Sequence, residues 1–148
     1  VPVVVDPKGT DWTKYAYADY ITPNLKEINQ VLAEPVHNED RAVEVAAHYV
    51  MNRFNIRNVI VTRSEEGLSL IRDDENVHIP TKAQEVFDVS GAGDTVIAVF
   101  AMGLAGGMSP ADSAYMANLA ASVVVAKLGT YAVSREELMA VLKGEAEK

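Results

Sequence analysis
Residues Asp88 to Val99 read DVSGAGDTVIAV. Three small residues, Gly91-Ala92-Gly93, stand directly before an acid, and the chain then passes at once into an apolar, helix-like run. The first turn of a helix exposes unpaired N–H groups and the positive end of the peptide dipole. An anion can settle there when no side chain blocks it, and glycines clear the approach. Gly91, Ala92 and Gly93 therefore read as an anion cradle, fed by the strand-like EVFDV of residues 85–89. Asp94 is a poor residue for holding a resting phosphate, because like charges repel. It suits a general base that takes a proton from a hydroxyl attacking a phosphoryl group, while backbone N–H groups stabilise the charge growing on the phosphate. The other reading is a plain strand–turn–helix join with Asp94 as a dipole-friendly cap. The stretch has neither the GxxxxGK(S/T) pattern of a P-loop nor GxGxxG spacing.

Working outward, Val1 to Val5 reads as an all-apolar strand, which calls for neighbours on both sides and cover on both faces. DYITPN, residues 19–24, is a short strand stopped by Pro23, and residues 24–33 form a short helix. Asp40 to Phe54 is a clearer helix, with Val43, Ala46, Ala47, Val50 and Phe54 on one face. NVIVTR (58–63) is a β-branched strand and SEEG (64–67) a turn. LSLIR, VHIP and EVFDV follow as short strands, suggesting hairpins at one side of a sheet. Helices are predicted over Thr95–Leu104, Pro110–Leu128 and Ser134–Leu142. Ser109-Pro110 is a cap with proline at the first helical position, and Ser134-x-x-Glu137 is a capping box. The order predicts an α/β layered domain with a largely parallel central sheet flanked by helices.

Composition narrows the function. The chain has 148 residues, 49% hydrophobic and 23% charged, which suits one domain with a real core. A net charge of −8 argues against nucleic acid, since phosphate backbones want a basic face. No apolar run approaches the roughly 20 residues of a membrane span, so no membrane partner is expected. The chain has no cysteine, which removes disulfides and thiolate metal sites. With no stretch that reads as a signal peptide, a cytoplasmic location is expected. The apolar opening without an initiator Met suggests a piece of something longer.

DVSGAGDTVIAV resembles the C-terminal signature of the ribokinase-like sugar kinases. The resemblance implies that Asp94 is the catalytic base and Gly91-Ala92-Gly93 the anion hole. Val99 departs, standing where the family usually has Ala or Gly, in the helix and away from the chemistry. TPNLKE is similar to the family's Asn-x-x-Glu motif, which implies that Asn24 and Glu27 lie near ATP phosphates and Mg²⁺, Glu27 acting through water. VTRSEEG resembles the segment lining the nucleotide, which covers Thr62, Arg63 and Gly67. Together with DPKGTDWTKY and VVAKLGT, these motifs resemble the heptose 7-phosphate kinases of the family along essentially the whole chain. The implied fold is the ribokinase-like layered fold, residues 1–148 being the C-terminal half of a kinase domain. The family's N-terminal glycine signature, its β lid and most sugar contacts are missing, as is the HxGH motif of the nucleotidyltransferase found in bifunctional members. The implied substrates are ATP and a sugar phosphate, and a homodimer is allowed for in the full-length protein. The fragment alone is expected to be inactive. Another sugar or nucleoside as acceptor, or a non-catalytic sugar or nucleotide sensor, are the alternatives.

Each further residue has a plainer reading beside the functional one. Asn24 and Glu27 are also spaced as a helix N-cap and its partner. Thr62 and Arg63 end a strand, where ligands of open α/β sheets gather; Arg63 either neutralises nucleotide phosphate or is an exposed arginine at a buried strand end. Asn118 borders the adenine by resemblance, or is a satisfied core polar group. Asp88 and Ser90 hold a monovalent cation such as K⁺ by resemblance, or cap a turn. Lys8 could meet a phosphate or be a solvated loop lysine. His37, His48 and His78 show no ligand spacing.

Overall fold
The structure is a computed structural model and describes residues 2–80 and 92–126. Its centre is a five-stranded sheet in the order β1 (Val4–Val5), β2 (Tyr20–Ile21), β3 (Val59–Thr62), β4 (Leu68–Ile71), β5 (Asn76–Ile79). β1, β2 and β3 run parallel, with Val4 opposite Tyr20 and Ile21 opposite Val59. β3, β4 and β5 form an antiparallel meander, its β4–β5 pair a hairpin of the expected kind, so the sheet is mixed. The run 85–89 and the helix over 134–142 lie outside the described residues.

Side chains alternate across the strands, as a pleat requires. Ile21, Val59, Val61 and Ile71 face one core with α1 (Leu25–Val31), α2 (Asp40–Phe54) and Trp12. Tyr20, Ile60, Leu68, Leu70 and Ile79 face the other, with α3 (Ala92–Ala105) and α4 (Pro110–Ala126). Two helical layers thus enclose one sheet. α2 has the bounds and the face that its periodicity predicts, with Val43, Ala46, Ala47, Val50 and Phe54 all buried. It ends at Asn55 in the left-handed region (φ 56°), a conformation asparagine tolerates. Across the sheet, the Tyr20 and Phe100 rings meet edge-on at 4.8 Å and pin β2 to α3. α3 and α4 touch at Gly103, where an added Cβ would stand 2.5 Å from Ser113 Oγ. Ser109 caps α4 as expected, its Oγ accepting from Asp112 N at 3.1 Å.

The first strand is shorter than the predicted Val1–Val5: β1 is two half-buried residues at an edge of the described sheet, Val3 is 54% exposed, and β2 is the strand beside β1 among the described residues.

Candidate active site
Parallel strands deliver their C-terminal ends to one rim of a sheet, and ligands of open α/β sheets bind beyond that rim. Here β1 leads to Asp6-Pro7-Lys8, β2 to Thr22-Pro23-Asn24, and β3 to Thr62-Arg63. The last two are stitched together. Asn24 and Thr62 form a parallel bridge, and Thr62 N donates to Pro23 O at 3.0 Å.

Asn24 and Glu27 open α1 as a reciprocal capping box. Asn24 Oδ1 accepts from Glu27 N at 2.7 Å, and Glu27 Oε1 accepts from Asn24 N at 2.9 Å. The plainer reading of this pair is therefore realised. It leaves Glu27 a second carboxylate oxygen, held at the rim by the bond the first one makes. Among the described residues no three His, Asp or Glu side chains converge as a metal site. A Mg²⁺ ion at this rim would accordingly keep waters and substrate oxygens as most of its ligands, which is its habit.

α3 starts earlier than its prediction. Ala92 and Gly93 already belong to its first turn, with Asp94 beside them, and Gly93 and Asp94 are exposed. The small residues are thus part of the helix mouth itself rather than a turn ahead of it. Gly91, Asp88 and Ser90 lie outside the described residues. Among the described residues, an added Cβ at Gly93 would meet nothing within 4 Å, so their packing does not demand glycine there. The open space suits an anion approaching the unpaired N–H groups. Thr22 Oγ1, buried at the end of β2, has no hydrogen-bond partner among the described residues.

Electrostatics tie the three parts of the rim. Lys8 Nζ pairs with Asp6 Oδ2 at 3.1 Å. That hydrogen bond raises the Lys8 ammonium above its ordinary range, and Glu27 and Asp94 add to the rise through space. The end of β1, the start of α1 and the start of α3 therefore share one electrostatic neighbourhood.

Arg63 is a correction. Its side chain is 1% exposed, and its guanidinium is consumed inside the protein. Nε donates to Asn38 Oδ1 at 2.8 Å, and Nη1 to Asp40 Oδ1 at 2.7 Å and Ser69 Oγ at 3.0 Å. A guanidinium so enclosed has no exposed face to offer a phosphate. Residues 59, 61 and 63 share a strand face, so Arg63 follows Val59 and Val61 beneath α2, where Asp40 stands ready for it. Ser69 Oγ lies 2.7 Å from His78 Nδ1, and His78 Nε2 lies 3.0 Å from Glu44 Oε2. The Arg63 N–H groups can only donate, so Ser69 Oγ accepts from Arg63 and stands between it and His78, whose other ring nitrogen meets Glu44. The hydrogen bond from Arg63 lowers the Asp40 carboxyl, and the one from His78 lowers that of Glu44. Sequence reading assigned His78 nothing, and its partners lie 9 and 34 positions away. No local signal marks such a cluster.

Gly67 closes the turn after β3 at φ 86° and is buried, while Thr62 is half-buried. Asn118, 5% exposed, donates from Nδ2 to Pro80 O at 2.9 Å and so ties α4 to the end of β5, a satisfied core polar group at that donor.

The chain matches the pfkB family carbohydrate kinases over residues 1–137. It belongs to that family. The bifunctional protein HldE of Trichlorobacter lovleyi is 49% identical across 98% of this chain and 30% of its own length. HldE of Sodalis glossinidius is 47% identical across 99% of this chain and 30% of its own. The chain thus spans about 30% of the length of these curated relatives. Among solved structures, ribokinase of Thermotoga maritima superposes with a TM-score of 0.82 at 32% identity, over 96% of this chain and 49% of that one. Phosphofructokinase-2 of Escherichia coli in complex with potassium gives 0.83 at 18% identity, over 98% and 48%, a likeness of fold. The fold is ribokinase-like, represented here by a partial domain, and the mixed sheet with helices on both faces is its local form.

Proposed function
We propose that this pfkB-family chain is the C-terminal half of a kinase that transfers the γ-phosphate of ATP to O1 of D-glycero-D-manno-heptose 7-phosphate. The product is the 1,7-bisphosphate, on the way to ADP-heptose, a lipopolysaccharide core precursor. One observation carries the reading: an exposed carboxylate, Asp94, in the first turn of α3, sharing a neighbourhood with Glu27 and the strand ends. The motifs similar to heptose 7-phosphate kinases and the HldE relatives support the choice of acceptor. The setting is cytoplasmic, with no nucleic-acid or membrane partner, and the full-length protein is free to pair as a homodimer.

Asp94 takes the proton of the attacking hydroxyl as its oxygen bonds to phosphorus, and the phosphorus–oxygen bond to ADP breaks. The N–H groups around Ala92 and Gly93, with Gly91 beside them, receive the charge that grows on the phosphoryl oxygens. Glu27 orients water around Mg²⁺, which would supply charge neutralisation on the phosphates. Asn24 holds Glu27 in place through the capping box. Thr62 and Gly67 border the nucleotide from the turn after β3. Asn118 reaches the adenine side only through the backbone it anchors at Pro80. Asp88 and Ser90 are assigned a monovalent cation, K⁺. A second acceptor, another sugar, has the 32% likeness to a ribokinase in its favour.

The test is Asp94→Asn in the complete kinase. ATP binding stays near wild type and turnover falls by about 10²–10⁴. Turnover above about half of wild type would overturn the base assignment. Comparing heptose 7-phosphate with ribose as acceptor decides between the two sugars.

A further inference from the structure
Among the described residues of the rim, the Lys8 ammonium pairs with Asp6 at 3.1 Å, and the Glu27 and Asp94 carboxylates act on it through space. A transferring phosphoryl group brings more negative charge into this acidic mouth. Beyond the charge that Mg²⁺ would neutralise on the phosphates, a second cation there lowers the repulsion that opposes this approach.

Lys8 is also presented unusually. Its side chain is 73% exposed, yet its backbone is fixed from both sides by one phenol. Tyr15 Oη accepts from Lys8 N at 2.9 Å and donates to Lys8 O at 3.3 Å. The next carbonyl, Gly9 O, accepts from the indole Nε1 of the fully buried Trp12 at 3.0 Å. Trp12 is packed in turn on Phe54, with ring centroids 5.9 Å apart. A lysine that serves only solubility needs no such anchorage, and an exposed ion pair with Asp6 stabilises a fold very little. The anchorage instead fixes where the base of the side chain stands, at the C-terminal end of β1, and leaves the ammonium free to swing.

We propose that Lys8 is a catalytic residue of this chain, resting on Asp6 and moving onto the oxygens of the phosphoryl group during transfer. The inference rests on the kinase reading above and deepens it. The hydroxyl oxygen of the acceptor bonds to phosphorus, its proton passes to Asp94, and ADP leaves with the electron pair of the broken bond. Lys8 keeps its protons and donates N–H bonds to the phosphoryl oxygens, over which the charge of the transferring group is spread, and it leaves Asp6 for them only during transfer. Its contribution therefore falls on turnover more than on ground-state affinity.

The experiment uses the complete kinase with Lys8→Met, Lys8→Arg and Lys8→Ala. All three substitutions sit at an exposed side chain, and a thermal melt checks that each variant folds. Lys8→Met lowers kcat by about 10²-fold with KM for ATP and sugar within about threefold. Lys8→Arg, which keeps the charge, recovers at least about tenfold of that loss, and added methylamine raises the activity of Lys8→Ala. Binding gives a readout apart from turnover: Lys8→Met binds ADP as wild type does but loses affinity for ADP with aluminium fluoride, a mimic of the transferring group. A kcat for Lys8→Met within about twofold of wild type overturns the proposal. So does a raised KM for ATP with kcat unchanged. If the wild-type protein phosphorylates no sugar, the kinase reading has failed; unchanged aluminium-fluoride affinity in Lys8→Met would instead refute the role of Lys8.

Discussion
Replacing Arg63 by Met tests whether the buried guanidinium is a structural tie. Methionine nearly matches its length and removes the three shortest hydrogen bonds of the guanidinium, at 2.8 Å to Asn38, 2.7 Å to Asp40 and 3.0 Å to Ser69, with a longer one at 3.4 Å to His78 Nδ1. Hydrogen bonds to a charged group are worth about 1.5–3 kcal/mol each, but the three do not count equally. Asp40 is 62% exposed and regains water, so its share is under about 1 kcal/mol. Asn38 is half-buried and recovers part of its loss through solvent. Ser69 is fully buried but keeps His78 as a partner. Relief of the guanidinium's desolvation works in the opposite direction. The net expectation is about 2–3 kcal/mol, below the 3–5 of a fully stripped buried pair. In a domain of this size that lowers Tm by about 5–10 °C. The assay is urea and thermal unfolding followed by fluorescence of the lone tryptophan, Trp12, which is buried on the same face of the sheet. Asp40→Asn serves as the comparison and costs under about 1 kcal/mol. If Arg63→Met unfolds within about 0.5 kcal/mol of wild type, or if Asp40→Asn costs as much, the reasoning is wrong.

Glu27→Gln keeps an oxygen for the capping bond, so its melt stays within about 0.5 kcal/mol of wild type while the Mg²⁺ needed for half-maximal activity rises. An unchanged magnesium titration would remove Glu27 from the metal. Gly103→Ala drives a methyl into Ser113 and destabilises by about 1–3 kcal/mol despite alanine's helix propensity; a variant as stable as wild type in urea would show that α3 and α4 part without cost. Asp40 and Glu44 both titrate below their ordinary range in the folded state, so each contributes stability above its unfolded pKa and loses it as pH falls through the folded one. Stability therefore declines on acidification from about pH 5 downward, and Glu44→Gln flattens that decline in a pH series of urea midpoints.

Local chemistry made much of the chain legible. α2 announced itself because five apolar residues recur at the helical period, and burial of that face is what the period exists to achieve. The hairpin of β4 and β5 was readable from short apolar runs broken by polar turns, whereas the antiparallel pairing of β3 with β4 was not. The capping box of Asn24 and Glu27 was readable because its partners stand three residues apart. Asp94 stood out because a helix mouth and the small residues before it are neighbours in the chain. Each of these features is decided within one or two turns of backbone.

Arg63 and Lys8 were not decided there. The sequence places an arginine at a strand end and a lysine in a loop, positions where either side chain is ordinarily solvated. Packing α2 across the sheet set Asp40 and Asn38 over Arg63, from positions 23 and 25 residues away, and closed it off from solvent. Parallel pairing of β1 with β2 put the loop of Lys8 on the same rim as Glu27, and the chain's return through α3 brought Asp94 within electrostatic reach. Charge and periodicity can be read along a chain because they belong to single residues and short repeats. Which charges meet, and which lose their water, depends on segments that only the folded sheet brings together, so the burial of Arg63 and the surroundings of Lys8 were tertiary decisions.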